Sequence, residues 1–173
     1  MTGRRRVFLV LLTIVLSIGC DQAAKAMARA HLPATKELSY AGGALRLDLN
    51  VNEGASFSFE DFLPEQWRGR TVSVAAALFL GILILFLMAG PRLRPLAVTG
   101  LSLFCGGSLS NLLDRVAFGG NVVDFLSLGL GGLRTAIFNV ADAAIATGLI
   151  LFAANGVWSL LRLALSGGAE PGR

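Results

Sequence analysis

Two aspartates carry the chemistry that this sequence could perform. Asp124 lies in Asn121-Val122-Val123-Asp124-Phe125, and Asp142 in Phe138-Asn139-Val140-Ala141-Asp142. Both stand among apolar residues, with a Gly-rich segment between them. A carboxylate at a bilayer centre costs roughly 2.5–3.5 kcal/mol on the insertion scale, and less toward the interface, so two of them need a reason. Held near each other, they cannot both ionise readily and share a proton. The ionised member then serves as general base on water while the protonated member hydrogen-bonds a substrate carbonyl. That is peptide hydrolysis without a metal or a nucleophilic serine. Paired intramembrane acids also build proton relays and ion sites. Spacing alone therefore leaves open a non-enzymatic protein, such as a transporter subunit with Asp142 as proton carrier.

Other polar residues crowd the same region. Asn111, Asp114 and Arg115 fall at i, i+3 and i+4 and share a helix face at the end of an apolar run. Asn139 and Asp142 are spaced i, i+3. Such residues can simply lock helices together by hydrogen bonds worth about 0.6–2 kcal/mol. Asp114, beside Arg115, reads as a structural interfacial ion pair, whereas the span of Asp142 contains no Lys or Arg. The single histidine, His31, is remote from this cluster, and Cys20 and Cys105 lie in or beside apolar runs. Neither a metal site nor a disulfide framework is expected, and no other cofactor.

The elements that must position these groups follow from composition. With 54% hydrophobic and 15% charged residues and a mean hydropathy of +0.69, the 173-residue chain is too apolar for an ordinary soluble domain. The net charge of +4 comes without an aromatic-basic patch, so nucleic acid is not an expected partner. The pattern predicts one mainly α membrane domain over 1–173, with four transmembrane helices near 7–28, 71–90, 95–113 and 135–161. A small extracytoplasmic β-sheet is expected near 38–60, between the first two spans. There, residues 44–52 alternate apolar with polar, Glu53-Gly54 suggests a turn, and residues 55–59 alternate again. Residues 61–67 read as a short interfacial helix or turn.

The first apolar run follows Arg4-Arg5-Arg6 and ends at Ser17-Ile18-Gly19-Cys20, which resembles a lipobox and raises the alternative of a secreted lipoprotein. Ser17 stands where such motifs usually carry Leu, and three later span-length runs argue against it. A helix can instead continue past Cys20, with Asp21 and Lys25 pairing at i, i+4. Gly100, Ser102, Gly106, Gly107, Ser108 and Ser110 permit close packing of the third span. Four spans place both termini on one side, and the density of Lys and Arg there favours the cytoplasm. The polar cluster then lies at the outer face.

Five motifs, in order, carry a family resemblance. They are Asp21-Gln22-Ala23-Ala24-Lys25, Asn52-Glu53-Gly54-Ala55-Ser56-Phe57, Gly106-Gly107 with Asn111, Asp114 and Arg115, and the two aspartate segments above. The chain resembles the lipoprotein signal peptidases (signal peptidase II), aspartic endopeptidases of the bacterial plasma membrane, over essentially its whole length. The resemblance implies Asp124 and Asp142 as the catalytic pair. It implies that Asn52, Gly54, Asn111, Arg115, Asn139 and Ala141 shape the site or bind substrate, and that Asp21, Lys25 and Asp114 support it. It further implies diacylglyceryl-modified prolipoprotein substrates cut on the amino side of the lipidated cysteine, contact with membrane lipids, inhibition by globomycin-type cyclic peptides, and a monomer. Glu53 and Ser56 depart from the family pattern, where small or neutral residues are usual.

Overall fold

The computed structural model describes residues 1–33, 36–52, 68–90 and 93–167. Within them, α1 spans Gly3–His31, α2 Arg68–Ala89, α3 Pro95–Ala117 and α4 Val140–Gly167. All four contain segments long and apolar enough to cross a membrane. α1 runs unbroken through Cys20 and Asp21 to His31, because no breaker precedes Pro33. α3 starts with Pro95 at its first helical position, where a missing N–H costs nothing.

α3 is the central helix and packs on α1, α2 and α4. Its small residues make this possible. A Cβ on Gly100 would stand 2.7 Å from the Gly148 carbonyl oxygen of α4, so the two backbones meet directly. Val10 and Ile14 of α1, Leu80 and Leu87 of α2, and Val98 and Cys105 of α3 form the buried apolar cluster. Exposed Leu, Ile and Phe side chains such as Leu78, Ile82, Ile150 and Leu160 cover the outside, as a lipid-facing surface requires. The Arg6 guanidinium donates to the Met88 and Gly90 carbonyls, both at 2.8 Å, and so satisfies the C-terminal end of α2.

A four-stranded antiparallel sheet, ordered β1 (Leu38–Tyr40), β2 (Leu45–Asn52), β3 (Val122–Leu130) and β4 (Leu133–Arg134), sits at one end of the bundle. The sheet is thus not confined to the segment between the first two spans. Half of it comes from the stretch expected to be a Gly-rich loop between α3 and α4. Val122 to Leu130 is rich in Val, Leu and Phe, and Leu126, Leu128 and Leu130 alternate with Ser127 and Gly129, which is a strand pattern. β2 pairs with β3, placing Asn50 opposite Asp124 and Asn52 opposite Val122, with a register irregularity between Leu47 and Asn50. The expected turn at Glu53-Gly54, the strand at 55–59 and the element at 61–67 lie outside the described residues.

The start of α4 also differs from expectation. The helix begins at Val140, not 135, because Phe138 bridges to Leu126 of β3 and Asn139 caps the helix. The Asn139 side-chain oxygen accepts from the Asp142 N–H at 2.8 Å, and the Asp142 carboxylate accepts from the Asn139 N–H at 3.2 Å. This reciprocal pair is a capping box built from Asn and Asp.

Candidate active site

Asp124 is carried by β3 and Asp142 by the first turn of α4. Asp124 is 2% exposed. Its Oδ1 accepts from the Asn139 amide at 2.7 Å, and its Oδ2 accepts from the Asn52 amide of β2 at 3.0 Å. The Asn139 amide also donates to Asn111 Oδ1 at 3.1 Å, and the Asn111 amide donates to Asp142 Oδ1 at 2.8 Å. Asp124, Asn139, Asn111 and Asp142 therefore form one continuous chain of hydrogen bonds in which two neutral amides stand between two carboxylates. Each carboxylate receives donors without pairing with a cation among the described residues. Asp142 also gains from its place at a helix N-terminus, where the aligned peptide dipoles favour negative charge.

Burial raises the Asp124 carboxyl above its ordinary value, and the neighbouring Asp142 charge adds to the rise. The Asn52 and Asn139 amides oppose it, with a small further opposition from Lys25. The balance of these influences holds the Asp124 carboxyl above its ordinary value while both of its oxygens accept from amides.

Beneath this chain lies a second buried network. Lys25 of α1 is fully buried and contacts Asp21 Oδ2 at 2.7 Å and Asp114 Oδ2 at 2.9 Å, and it donates to Asn111 Oδ1 at 2.8 Å. Its three donors are matched by three acceptors. Asp21 accepts from the Ser110 hydroxyl and, through Oδ1, from the backbone N–H of Ala141, both at 2.8 Å. That last bond ties the first turn of α4 to α1. Asp114 accepts from the Gln22 amide at 2.8 Å and from the Val123 N–H at 3.1 Å, which ties β3 to α3. Both loci of the site are therefore anchored to the helix bundle through backbone N–H groups adjacent to Asp124 and Asp142.

The structure brings together Asn52, Asn111, Asp124, Asn139 and Asp142, with Ala141 fully buried behind them. Asp21 and Lys25 do pair, but in the interior and not at an exposed interface. The expected Asp114–Arg115 ion pair does not form; Asp114 faces Lys25 instead. Residues i and i+1 point about 100° apart around a helix, so Arg115 cannot reach inward with Asp114. Half-buried Arg115 instead lines a cleft of about 310 Å³ between α2, α3 and α4, together with Phe79, Leu80, Asn111, Asp142 and Ile145. Gly54 lies outside the described residues, as do Glu53 and Ser56. Sequence reasoning missed Ser110 and Gln22. Ser110 is four residues before Asp114, and that spacing on a buried face was the available signal.

Fold and site together define a four-helix membrane protein with a pair of amide-linked carboxylates under a small sheet at one end of its bundle. The family profile described as "Signal peptidase (SPase) II" matches residues 13–158. This chain belongs to that family, whose members are aspartic peptidases that cleave lipoprotein signal peptides. It is 37% identical over 164 residues to the lipoprotein signal peptidase of Moorella thermoacetica, covering 95% of this chain and 99% of that one. Against the lipoprotein signal peptidase of Oleidesulfovibrio alaskensis it is 33% identical, covering 84% and 92%. A bacterial membrane enzyme solved by the in meso method at 2.3 Å shares the fold, with a TM-score of 0.71 at 24% identity over 95% of this chain and 93% of that one. The transporter-subunit alternative finds no support in these relationships.

Proposed function

We propose that Asp124 and Asp142 are the catalytic pair with which this chain removes signal peptides from prolipoproteins. The observation that carries this is the unbroken chain from Asp124 through Asn139 and Asn111 to Asp142, beside a cleft that opens between helices. In the reading it supports, Asp142 is ionised and takes a proton from water as the water oxygen bonds the scissile carbonyl carbon. Protonated Asp124 hydrogen-bonds the carbonyl oxygen and stabilises the charge forming on it. Collapse of the tetrahedral intermediate breaks the C–N bond, with a proton passing from the carboxyl pair to the leaving amine. The Arg115 guanidinium has no polar partner among the described residues and lines the cleft, where it suits a substrate carbonyl or ester oxygen.

The substrate class is a prolipoprotein whose cysteine carries diacylglyceryl, cut on the amino side of that cysteine. A lipidated chain must arrive from the bilayer, and a cleft between membrane helices provides that route. The charge distribution favours cytoplasmic termini and a site near the extracytoplasmic face of the bacterial plasma membrane. Globomycin-type cyclic peptides would compete for the same cleft, and the chain would act as a monomer. The test is processing of a diacylglyceryl-modified precursor by purified protein. Asp124→Asn and Asp142→Asn should each abolish cleavage while remaining inserted and folded; cleavage retained by either folded variant refutes the pair.

A further inference from the structure

We propose that the end of the bundle opposite the carboxylates holds an anionic phospholipid headgroup between Arg94 and Arg162. Arg94 precedes α3, and Asp114 lies 20 residues further along. At 1.5 Å per residue that separation is about 30 Å, the thickness of a bilayer's hydrocarbon core. Arg94 and Arg162 therefore lie at the other membrane interface from Asp124 and Asp142.

The two arginines come from different helices and converge on one cleft, of about 710 Å³, lined by Arg94, Ser159, Arg162, Leu163 and Leu165. Among the described residues Arg94 donates to the Ser159 hydroxyl, at 3.5 Å, and the Arg162 guanidinium stacks over the Trp158 ring, 5.2 Å from its centroid. Neither meets a carboxylate among the described residues. The sequence explains why: residues 1–20, 68–113 and 143–167 contain no Asp or Glu. Arg6, at the same end, is occupied by the α2 carbonyls. The Ser159 hydroxyl gives its proton to the Asn155 carbonyl at 2.8 Å, so the two guanidiniums are the donors that line the cleft, and guanidinium forks suit phosphate oxygens. The cleft's remaining walls are apolar and exposed, with Leu163 at 68% and Leu165 at 81%, and Trp158 beside them at 53%. A soluble phosphate would leave those walls in water; a phospholipid covers them with its acyl chains while its phosphate meets the arginines. Tryptophan and arginine at headgroup level suit the same occupant.

The test uses Trp158 as reporter. The chain has two tryptophans, so Trp67→Phe leaves Trp158 as the single fluorophore. The full-length protein is reconstituted in bilayers that contain brominated phosphatidylglycerol or brominated phosphatidylcholine, and quenching is compared. A preference for the anionic lipid on the order of tenfold is expected, falling to about one in Arg94→Gln/Arg162→Gln. Each single variant should lose roughly half of that preference on a logarithmic scale, so the result does not depend on the double variant alone. Precursor processing in detergent should persist in these variants and certifies their fold. Equal quenching by the two lipids overturns the proposal, as does a preference that survives both substitutions. Loss of the preference to inorganic phosphate at matched ionic strength also overturns it, by assigning the site to a soluble anion.

Discussion

Replacing Lys25 with Met tests whether the buried network underneath the site holds it together. The ammonium is fully buried between Asp21 and Asp114, at 2.7 and 2.9 Å, and its remaining donor meets Asn111. Methionine nearly matches its volume, so packing is little disturbed, but two carboxylates lose the one cation they meet among the described residues. Breaking a buried pair by removing one partner costs about 3–5 kcal/mol, because the other charge stays buried and uncompensated. For a chain of this length that corresponds to a fall in the unfolding midpoint on the order of 10 °C. Cys105 provides the assay, being 0% exposed, while Cys20 is exposed. In a Cys20→Ser background, thiol labelling on heating in detergent reports when the bundle opens. The decisive comparison adds Asp21→Asn and Asp114→Asn to Lys25→Met. Neutralising both carboxylates should recover most of the lost midpoint if uncompensated charge is the cause. A Lys25→Met midpoint within about 2 °C of wild type would refute the reasoning, as would failure of the two amides to recover any of the loss.

Further expectations follow from the same geometry. Asp124 has a folded-state pKa raised by burial and then by Asp142, so its contribution to stability is greatest below its ordinary value and is lost as pH rises through the raised one. Processing should accordingly fall on the alkaline side as Asp124 loses its proton, and Asn52→Ala, which removes an opposing hydrogen bond, should move that limb upward in a pH–rate profile. Gly107→Ala would press a Cβ against the Ala141 carbonyl and to within 2.9 Å of Ile145. The expected cost is about 1–3 kcal/mol, with processing reduced in the protein that still folds because the first turn of α4 carries Asp142. Asn139→Ala removes the helix cap and the amide between the two acids, so it should lower stability by about 1 kcal/mol and reduce turnover far more than that loss explains. Chelation should leave processing unchanged, since the site's donors are amides and carboxylates engaged with one another; inhibition reversed by added metal would contradict this.

The parts legible in the sequence were those set by local pattern. Long apolar runs mark the four helices, and the i, i+4 spacing of Asp21 and Lys25 marks their pairing. What escaped was set by distant partners. β3 reads locally as a loop because Gly119, Gly120, Gly131 and Gly132 bracket it. The Leu126, Leu128 and Leu130 alternation between those glycines is a strand signal, but its partner β2 lies far away in the chain. The same pairing brings Asn52 to Asp124, a contact between residues 72 apart. Asp114 was paired with its sequence neighbour when its partner lies on another helix, because adjacency along the chain is not adjacency around a helix axis.

These two kinds of contact divide the charge at the site. Asp21, Asp114, Asp124 and Asp142 gather at one end of the bundle, and Lys25 is the one cation bonded to any of them among the described residues. Lys25 spends its donors on Asp21, Asp114 and the neutral Asn111, so its positive charge is the weakest of the influences on Asp124. Had Lys25 reached Asp124 directly, that carboxyl would be held ionised and could not donate to a carbonyl. Placing Asn111 and Asn139 between the ammonium and the two acids keeps the cation structural. It leaves the second pair short of positive charge, which is the condition under which two carboxyls share a proton.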